Sequence, residues 1–155
     1  MSRSISIRDI DPSKLGPNSP LLALMRRKPR RDLEHEAQCE LFRWVFENET
    51  KIPELRWLYA VPNGGFRHKA TAGRIKAEGA RSGVPDLIMP VSRGDRAGLA
   101  IELKIAPNRP TKEQKEWLNH LRDDGWFVWV AYSADEAKRV ILDYLAGKHM
   151  RAWVA

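Results

Sequence analysis

The sequence predicts an α/β fold, with a mixed central sheet of about four strands flanked by helices in the order α-β-α-β-β-α-β-α. Segments with apolar residues at helical spacing alternate with short segments in which every second residue is apolar. Glycine and proline turn signals separate these segments. Of the 155 residues, 43% are hydrophobic and 30% are charged, which is typical of a single globular domain with its own core.

The first half of the domain carries three predicted elements. Leu33, Leu41 and Val45 recur at helical spacing, whereas the next apolar segment is short and stops at the turn sequence 62–65. A basic segment closed by Gly79 follows. The patterns predict, in order, a helix over residues 32–48, a strand over residues 55–61 and a second helix over residues 66–78.

Two strands at the centre of the chain carry charged residues. A Gly-Val-Pro turn leads into a predicted strand over residues 86–89, and residues 99–105 alternate strictly between apolar and other side chains. This alternation places Glu102 and Lys104 on the same face of their strand. A carboxylate and an ammonium are costly to bury there unless they pair or bind an ion. Asp86 opens the neighbouring strand.

Three further elements complete the domain. Thr111 and Gln114 have the spacing of a capping box, and Ser133 and Glu136 repeat it. The strand between them is apolar on both faces, which predicts a central position in the sheet. The patterns predict, in order, a helix from residue 111 to the glycine at 125, a strand over residues 126–132 and a helix from residue 133 to the glycine at 147.

The acidic residues and the lysine suggest a specific chemistry. Asp86 and Glu102 offer hard oxygen ligands for Mg²⁺, and Lys104 adds a cation that can orient water or neutralise a phosphate, as a metal-dependent phosphodiesterase requires. Other interpretations stay open. In these interpretations Asp86 caps the turn after Pro85, Glu102 and Lys104 form a structural ion pair, and the capping box accounts for Gln114 locally.

The domain organisation follows from charge and turn content. Residues 1–31 are basic and rich in turn formers, which predicts a flexible arm before a domain over residues 32–147 and a short tail over 148–155. The net charge of +7 favours a polyanionic partner such as DNA. No apolar stretch approaches the roughly 18 residues of a membrane span. The lone Cys39 suits a reducing compartment, so we expect a cytoplasmic protein without a membrane partner.

With these residues placed, the chain resembles the VRR-NUC domain, a branch of the PD-(D/E)XK or restriction-endonuclease-like nucleases. The resemblance spans most of the chain and implies a restriction-endonuclease-like fold. Members are small Mg²⁺- or Mn²⁺-dependent nucleases that occur as stand-alone phage or bacterial domains and within larger repair proteins. The matching blocks are Glu36 in the first helix, residues 62–65, residues 83–87, residues 101–104, and Gln114 with Trp117 and Leu118.

The resemblance also implies roles for individual residues. Asp86 and Glu102 would hold the metal together with the backbone carbonyl of Leu103, and Lys104 would act on the attacking water. Glu36 and Gln114 would complete the catalytic site, with Glu36 as a further metal ligand. Glu40 lies four residues after Glu36 and is the alternative helix carboxylate.

The function implied by the resemblance is endonucleolytic cleavage of structured DNA, including four-way (Holliday) junctions, by a homodimer. The alternatives are a single-strand nickase or exonuclease, and a DNA-binding module that does not cleave. The preferred DNA structure, the cut position and the choice between one and two metal ions stay open. The residues expected to contact DNA, or otherwise to form a solvated basic surface, are Asn63, Arg67, Lys69, Arg74, Lys76 and Arg81.

Overall fold

The computed structural model describes residues 33–62, 74 and 77–148. Within these ranges the chain forms three α-helices, one short 3₁₀ helix and four strands. The second predicted helix, over residues 66–78, lies mostly outside the described residues, as do the predicted N-terminal arm and nearly all of the C-terminal tail. The elements are α1 (Leu33–Asn48), the 3₁₀ helix (Pro53–Trp57), β1 (Tyr59–Ala60), β2 (Leu87–Met89), β3 (Leu99–Leu103), α2 (Lys112–Asp123), β4 (Phe127–Ala131) and α3 (Ala134–Leu145).

The four strands form one mixed sheet in the order β1-β2-β3-β4. The β2–β3 pair is antiparallel, with Ile88 opposite Ala100, and its connection is a short loop. The β3–β4 pair is parallel, with Glu102 opposite Val130, and helix α2 forms the crossover that a parallel pair requires. The predicted α/β class and mixed sheet are confirmed.

The two faces of β3 enter different parts of the core, as its period-two pattern predicts. Leu99, Ile101 and Leu103 belong to the larger apolar cluster, which includes residues of α1 and α3. Ala100 lies in a smaller cluster on the opposite face, together with Leu118 of α2. Because Glu102 lies two residues after Ala100 in the same strand, the two side chains share a face, and Glu102 points to the α2 side of the sheet.

The prediction of a strand over residues 55–61 is wrong for most of these residues. The chain instead forms the 3₁₀ helix Pro53–Trp57, and only Tyr59 and Ala60 pair with β2. Proline is tolerated at the first position of a helix, where its missing N–H group has no partner to lose. Buried Leu55 and Leu58 lie three residues apart, which matches the 3₁₀ repeat, whereas Trp57 between them is 58% exposed.

The predicted central position of the strand over residues 126–132 is also wrong. In the described sheet β4 lies at the edge and pairs with β3. It is nevertheless apolar on both faces, because Phe127 packs in the larger cluster and Val128 in the smaller one. Helix α2 contacts β4 from one side and α3 contacts it from the other, so coverage by helices, and not a central position, explains its composition.

Helices α2 and α3 begin at the predicted caps. The Thr111 side chain accepts a hydrogen bond from the Gln114 backbone N–H, and the Ser133 side chain accepts one from the Glu136 N–H. Each cap satisfies a backbone donor that the first helical turn leaves without an intrahelical partner. In the part of the chain that the structure describes, no helix is long and apolar enough to cross a membrane.

Candidate active site

Asp86 is held at the start of β2 by the neighbouring strand. Its Oδ2 atom accepts a hydrogen bond from the backbone N–H of Leu103, at 3.0 Å. The turn before it packs closely on α2. Gly83 has φ +84°, and a Cβ atom built there would lie 2.7 Å from the carbonyl carbon of Glu113. This turn therefore fixes the Asp86 carboxylate next to the end of β3.

Glu102 is fully buried, and its two carboxylate oxygens have different surroundings. Oε1 accepts hydrogen bonds from Lys104 Nζ at 2.7 Å and from Gln114 Nε2 at 2.5 Å. Oε2 is also buried but receives no hydrogen bond from the described residues. A buried acceptor without a donor is unfavourable, so this atom needs a proton or a cation.

The pKa of Glu102 also indicates that this carboxyl needs a proton or a cation. Burial, followed by the negative charge of Asp86, raises the pKa of Glu102 from 4.5 to about 8, although Lys104 opposes this shift. A hydrogen bond between the protonated carboxyl and Asp86 also favours the raised pKa. Two carboxylates that share one site cannot both ionise freely. A positive charge between them would remove the conflict.

Lys104 is buried, like Glu102, and its ammonium group lies close to three oxygen atoms. Its Nζ atom lies 2.7 Å from Glu102 Oε1 and 3.9 Å from Glu34 Oε2, and it donates to the Leu103 carbonyl at 3.3 Å. Burial by itself would lower the pKa of Lys104, but the hydrogen bond and the charge of Glu102 outweigh it and raise the pKa. The side chain therefore stays a cation.

Gln114 combines the two roles that the sequence left as alternatives. Its side-chain Oε1 accepts a hydrogen bond from the Thr111 backbone N–H at 2.8 Å and completes the capping box of α2. Its Nε2 atom, at the other end of the same amide, donates to Glu102. One residue therefore caps the helix and contacts the buried carboxylate.

The helix carboxylate nearest to Lys104 is Glu34, which the sequence reasoning missed. Glu34 lies on the inward side of α1, in register with buried Leu41, and it also accepts a hydrogen bond from Asn108 at 3.2 Å. Glu36 is exposed, and two residues along an α-helix rotate a side chain by about 200°. Glu40 pairs instead with Lys138 of α3 at 2.8 Å. The spacing of Glu34 relative to Leu41 and Val45 was the sequence signal that could have placed it on the inward face of α1.

Comparison with known proteins identifies the family of this chain. The sequence model of the VRR-NUC domain family matches residues 29–135. The chain belongs to the VRR-NUC family. A solved structure described as a VRR_NUC domain protein is similar to it, with a TM-score of 0.64 and 26% sequence identity, over 81% of this chain and all (100%) of the other. No match is found among curated proteins. The VRR-NUC domain is a nuclease domain that acts on DNA.

The donor atoms of this VRR-NUC domain fit a hard divalent cation. Asp86 and Glu102 supply carboxylate oxygens, and Glu102 Oε2 is buried with no donor among the described residues. Over the same residues, no three His, Cys, Asp or Glu side chains are grouped as a metal site. This arrangement suits Mg²⁺, which commonly takes one or two carboxylates and completes its shell with waters and substrate phosphates. The Leu103 carbonyl as an additional ligand stays a prediction.

The predicted DNA-contacting residues are only partly visible. Arg74 is exposed and forms an ion pair with Glu78 at 2.8 Å, and Arg81 is exposed beside Ser82, whose carbonyl accepts a hydrogen bond from Trp117 Nε1. Their contact with DNA stays a prediction. Predicted contacts outside the described residues are Asn63, Arg67, Lys69 and Lys76.

The sequence-based prediction of DNA contacts also omitted three exposed basic residues that lie close in sequence to Lys104 and Gln114. Arg109 lies in the loop after Lys104, and Lys112 and Lys115 lie on the first turns of α2. They flank the capping box whose Gln114 contacts Glu102. The signal was their position in sequence between two predicted site residues.

Proposed function

We propose that this chain is a Mg²⁺- or Mn²⁺-dependent DNA endonuclease that hydrolyses phosphodiester bonds in structured DNA, including four-way junctions. The observation that carries this proposal is the buried Glu102 Oε2 atom, which receives no hydrogen bond from the described residues, beside the charge of Asp86. Buried groups whose pKa is strongly perturbed by burial and a charged neighbour cluster at functional sites, so this pair supports a metal-binding role.

Each residue contributes a separate part of the chemistry. Asp86 and Glu102 would hold the metal ion, with the Leu103 carbonyl as a further ligand. When bound, the ion supplies stabilisation of the negative charge that develops on the scissile phosphate. Lys104 remains protonated beside Glu102 and has N–H groups that can orient the attacking water or donate to a phosphate oxygen.

Cleavage assays on a panel of labelled DNAs test the proposal. Hairpin, flap, fork and four-way-junction substrates are incubated with Mg²⁺, Mn²⁺ or a chelator. We expect metal-dependent internal cuts by wild type and no cuts by Asp86→Asn or Glu102→Gln. Lys104→Ala should lower the rate by about 10²- to 10³-fold while metal binding persists.

The outcomes separate the alternative functions. Tight binding of DNA with no cleavage under any metal would identify a binding module. Release of mononucleotides from ends would identify an exonuclease, and cuts confined to one strand would identify a nickase. Cleavage by Lys104→Ala at the wild-type rate would show that its ion pair with Glu102 is structural.

The homodimer is part of the proposal because junction resolution needs two symmetric cuts. A chain with one set of carboxylates supplies two sites through a single two-fold interface, which is the commonest oligomer symmetry. Light scattering should give close to twice the 17.8 kDa of one chain. Mixed dimers with Glu102→Gln subunits should nick junctions once. A monomer that cuts both strands would contradict this arrangement.

DNA would be held by the basic residues predicted to contact it. Substitution of Arg67 or Lys69 by Ala should weaken binding similarly for all sequences and flatten the log–log salt dependence by roughly 0.9 per lost duplex contact. Arg109→Ala tests whether the loop after Lys104 belongs to the same surface. Arg139→Ala, at an exposed position of α3, is the control. Unchanged slopes in all variants would show that these cations face bulk solvent.

A further inference from the structure

Gln114 connects the cap of α2 to the carboxylate of Glu102 through the two ends of a single amide. Its Oε1 atom accepts from the Thr111 backbone N–H at 2.8 Å, and its Nε2 atom donates to Glu102 Oε1 at 2.5 Å. A backbone N–H group can only donate, and Glu102 Oε1, which also receives the Lys104 ammonium, acts as an acceptor whether or not Oε2 carries a proton. The two partners therefore require the same orientation of the amide.

Rotation of this amide by half a turn would replace both favourable contacts with unfavourable ones. Nε2 would face the Thr111 N–H, and Oε1 would face the Glu102 carboxylate. The Thr111 N–H group thus determines which end of Gln114 reaches the buried site. This group belongs to the backbone and is fixed by the first turn of α2, whose Thr111 carbonyl also accepts from Lys115 at 3.0 Å.

The consequence for Glu102 is an unequal use of its oxygens. Oε1 is already occupied by the donors Gln114 and Lys104, and Oε2 remains without a donor in the described part of the chain. The influence of Asp86 on Glu102 shows that the two carboxylates are neighbours, and Leu103 N–H fixes the Asp86 side. The open oxygen of Glu102 is therefore the one available to a shared cation.

We infer that Gln114 is a positioning residue: Thr111 N–H fixes its amide so that it holds Glu102 Oε1 and leaves Oε2 as the metal ligand. It acts through Glu102 and does not itself touch the metal or DNA. This inference rests on the proposed function for its metal, but the orientation of the amide is a property of the metal-free protein. Loss of the hydrogen bond that orients a metal ligand typically costs about 10- to 100-fold in metal affinity.

Two substitutions at Thr111 separate orientation from helix capping. Thr111→Ala removes the hydroxyl that accepts from the Gln114 backbone but keeps the N–H group. Thr111→Pro removes both, and proline fits the observed φ of −68° and ψ of 173°. Its ring would also occupy the space next to Gln114 Oε1. Both effects of proline remove the seat of Oε1 at the residue 111 backbone, so the difference between the two variants reports on this anchor of the amide and not on the hydroxyl cap.

The first measurement uses metal-free protein. Exchange of the Gln114 side-chain amide protons, followed by ¹⁵N-resolved NMR, should be slow in wild type and Thr111→Ala and fast in Thr111→Pro. The second measurement is Mg²⁺ titration by calorimetry. Thr111→Ala should bind within about twofold of wild type, whereas Thr111→Pro and Gln114→Met should bind about tenfold or more weakly.

Equal Mg²⁺ affinity for Thr111→Ala and Thr111→Pro would overturn the inference, because the N–H group would then not matter. Wild-type affinity in Gln114→Met would overturn it as well, and this variant decides the question if Thr111→Pro does not fold. Slow amide exchange in a wild-type protein that binds no Mg²⁺ would support the fixed orientation and refute the proposed function, so the two failures are distinguishable.

Discussion

Glu102 should make the metal-free protein less stable as the pH rises, and its replacement by glutamine should remove this effect. The folded-state pKa of about 8 lies above the ordinary value of 4.5, because of burial and then the charge of Asp86. Between these values the folded protein binds a proton that the unfolded chain has released. The free energy of unfolding therefore falls as the pH rises through this window.

The magnitude follows from the width of the window. One pH unit corresponds to about 1.4 kcal/mol for one bound proton, so the loss over the two units between about pH 5.5 and 7.5 is about 2–3 kcal/mol. Glu102→Gln cannot titrate, and its amide can still accept from Lys104 and Gln114 while donating towards Asp86. Any constant difference between the proteins, including the changed contact with Lys104, does not affect this slope.

The assay is urea unfolding at several pH values in the presence of a chelator, followed by tryptophan fluorescence. The stability of Glu102→Gln relative to wild type should rise by about 2–3 kcal/mol from pH 5.5 to 7.5. Glu116→Gln, at an exposed position of α2, is the matched control for replacing a glutamate by glutamine outside the buried site. Parallel curves for wild type and Glu102→Gln would refute the argument that Glu102 is held protonated by its surroundings.

Three further predictions follow from the same geometry. Mg²⁺ affinity should rise from pH 6 to 8, and binding should release a proton from Glu102, because metal ligands must be deprotonated. Calorimetry in two buffers of different ionisation enthalpy measures this release. Binding without proton release would contradict the raised pKa of Glu102. Glu34→Gln should lower the cleavage rate, because Glu34 lies beside Lys104. In a double-mutant cycle, Asn108→Ala should lower the rate in the wild-type background but not in the Glu34→Gln background. Additive effects would show that the contact between Glu34 and Asn108 is unrelated to the site. Gly83→Ala should destabilise the fold by about 2 kcal/mol or more in chemical unfolding, because it combines positive φ with a clash against Glu113. Gly79→Ala, which has positive φ but no atom of the described residues within 4 Å of the added Cβ, should cost about half as much. Equal losses would show that the close approach of Gly83 to α2 is not rigid.

Local patterns were sufficient for much of the fold. The helical spacing of Leu41 and Val45, the N-terminal caps of α2 and α3, and the alternation in β3 each depend on neighbouring residues, so they can be recognised in the sequence. The 3₁₀ helix before β1 was mistaken for a strand because both conformations accommodate short apolar segments. The edge position of β4 was missed because burial by helices on two faces gives the same composition as a central strand.

The α/β class was predictable from the sequence alone, and so was the placement of Glu102 and Lys104 on one face of a strand that follows Asp86 closely in the chain. These features depend on the period of a strand and on short turns. The three-dimensional packing was needed to show that Glu34 approaches Lys104, that Gln114 reaches Glu102 through the cap of α2, and that Oε2 is the open oxygen of Glu102. These facts depend on how α1 is rotated against the sheet and on how the loop before α2 places its first turn beside β3. Both are contacts between separate elements, which no local period encodes.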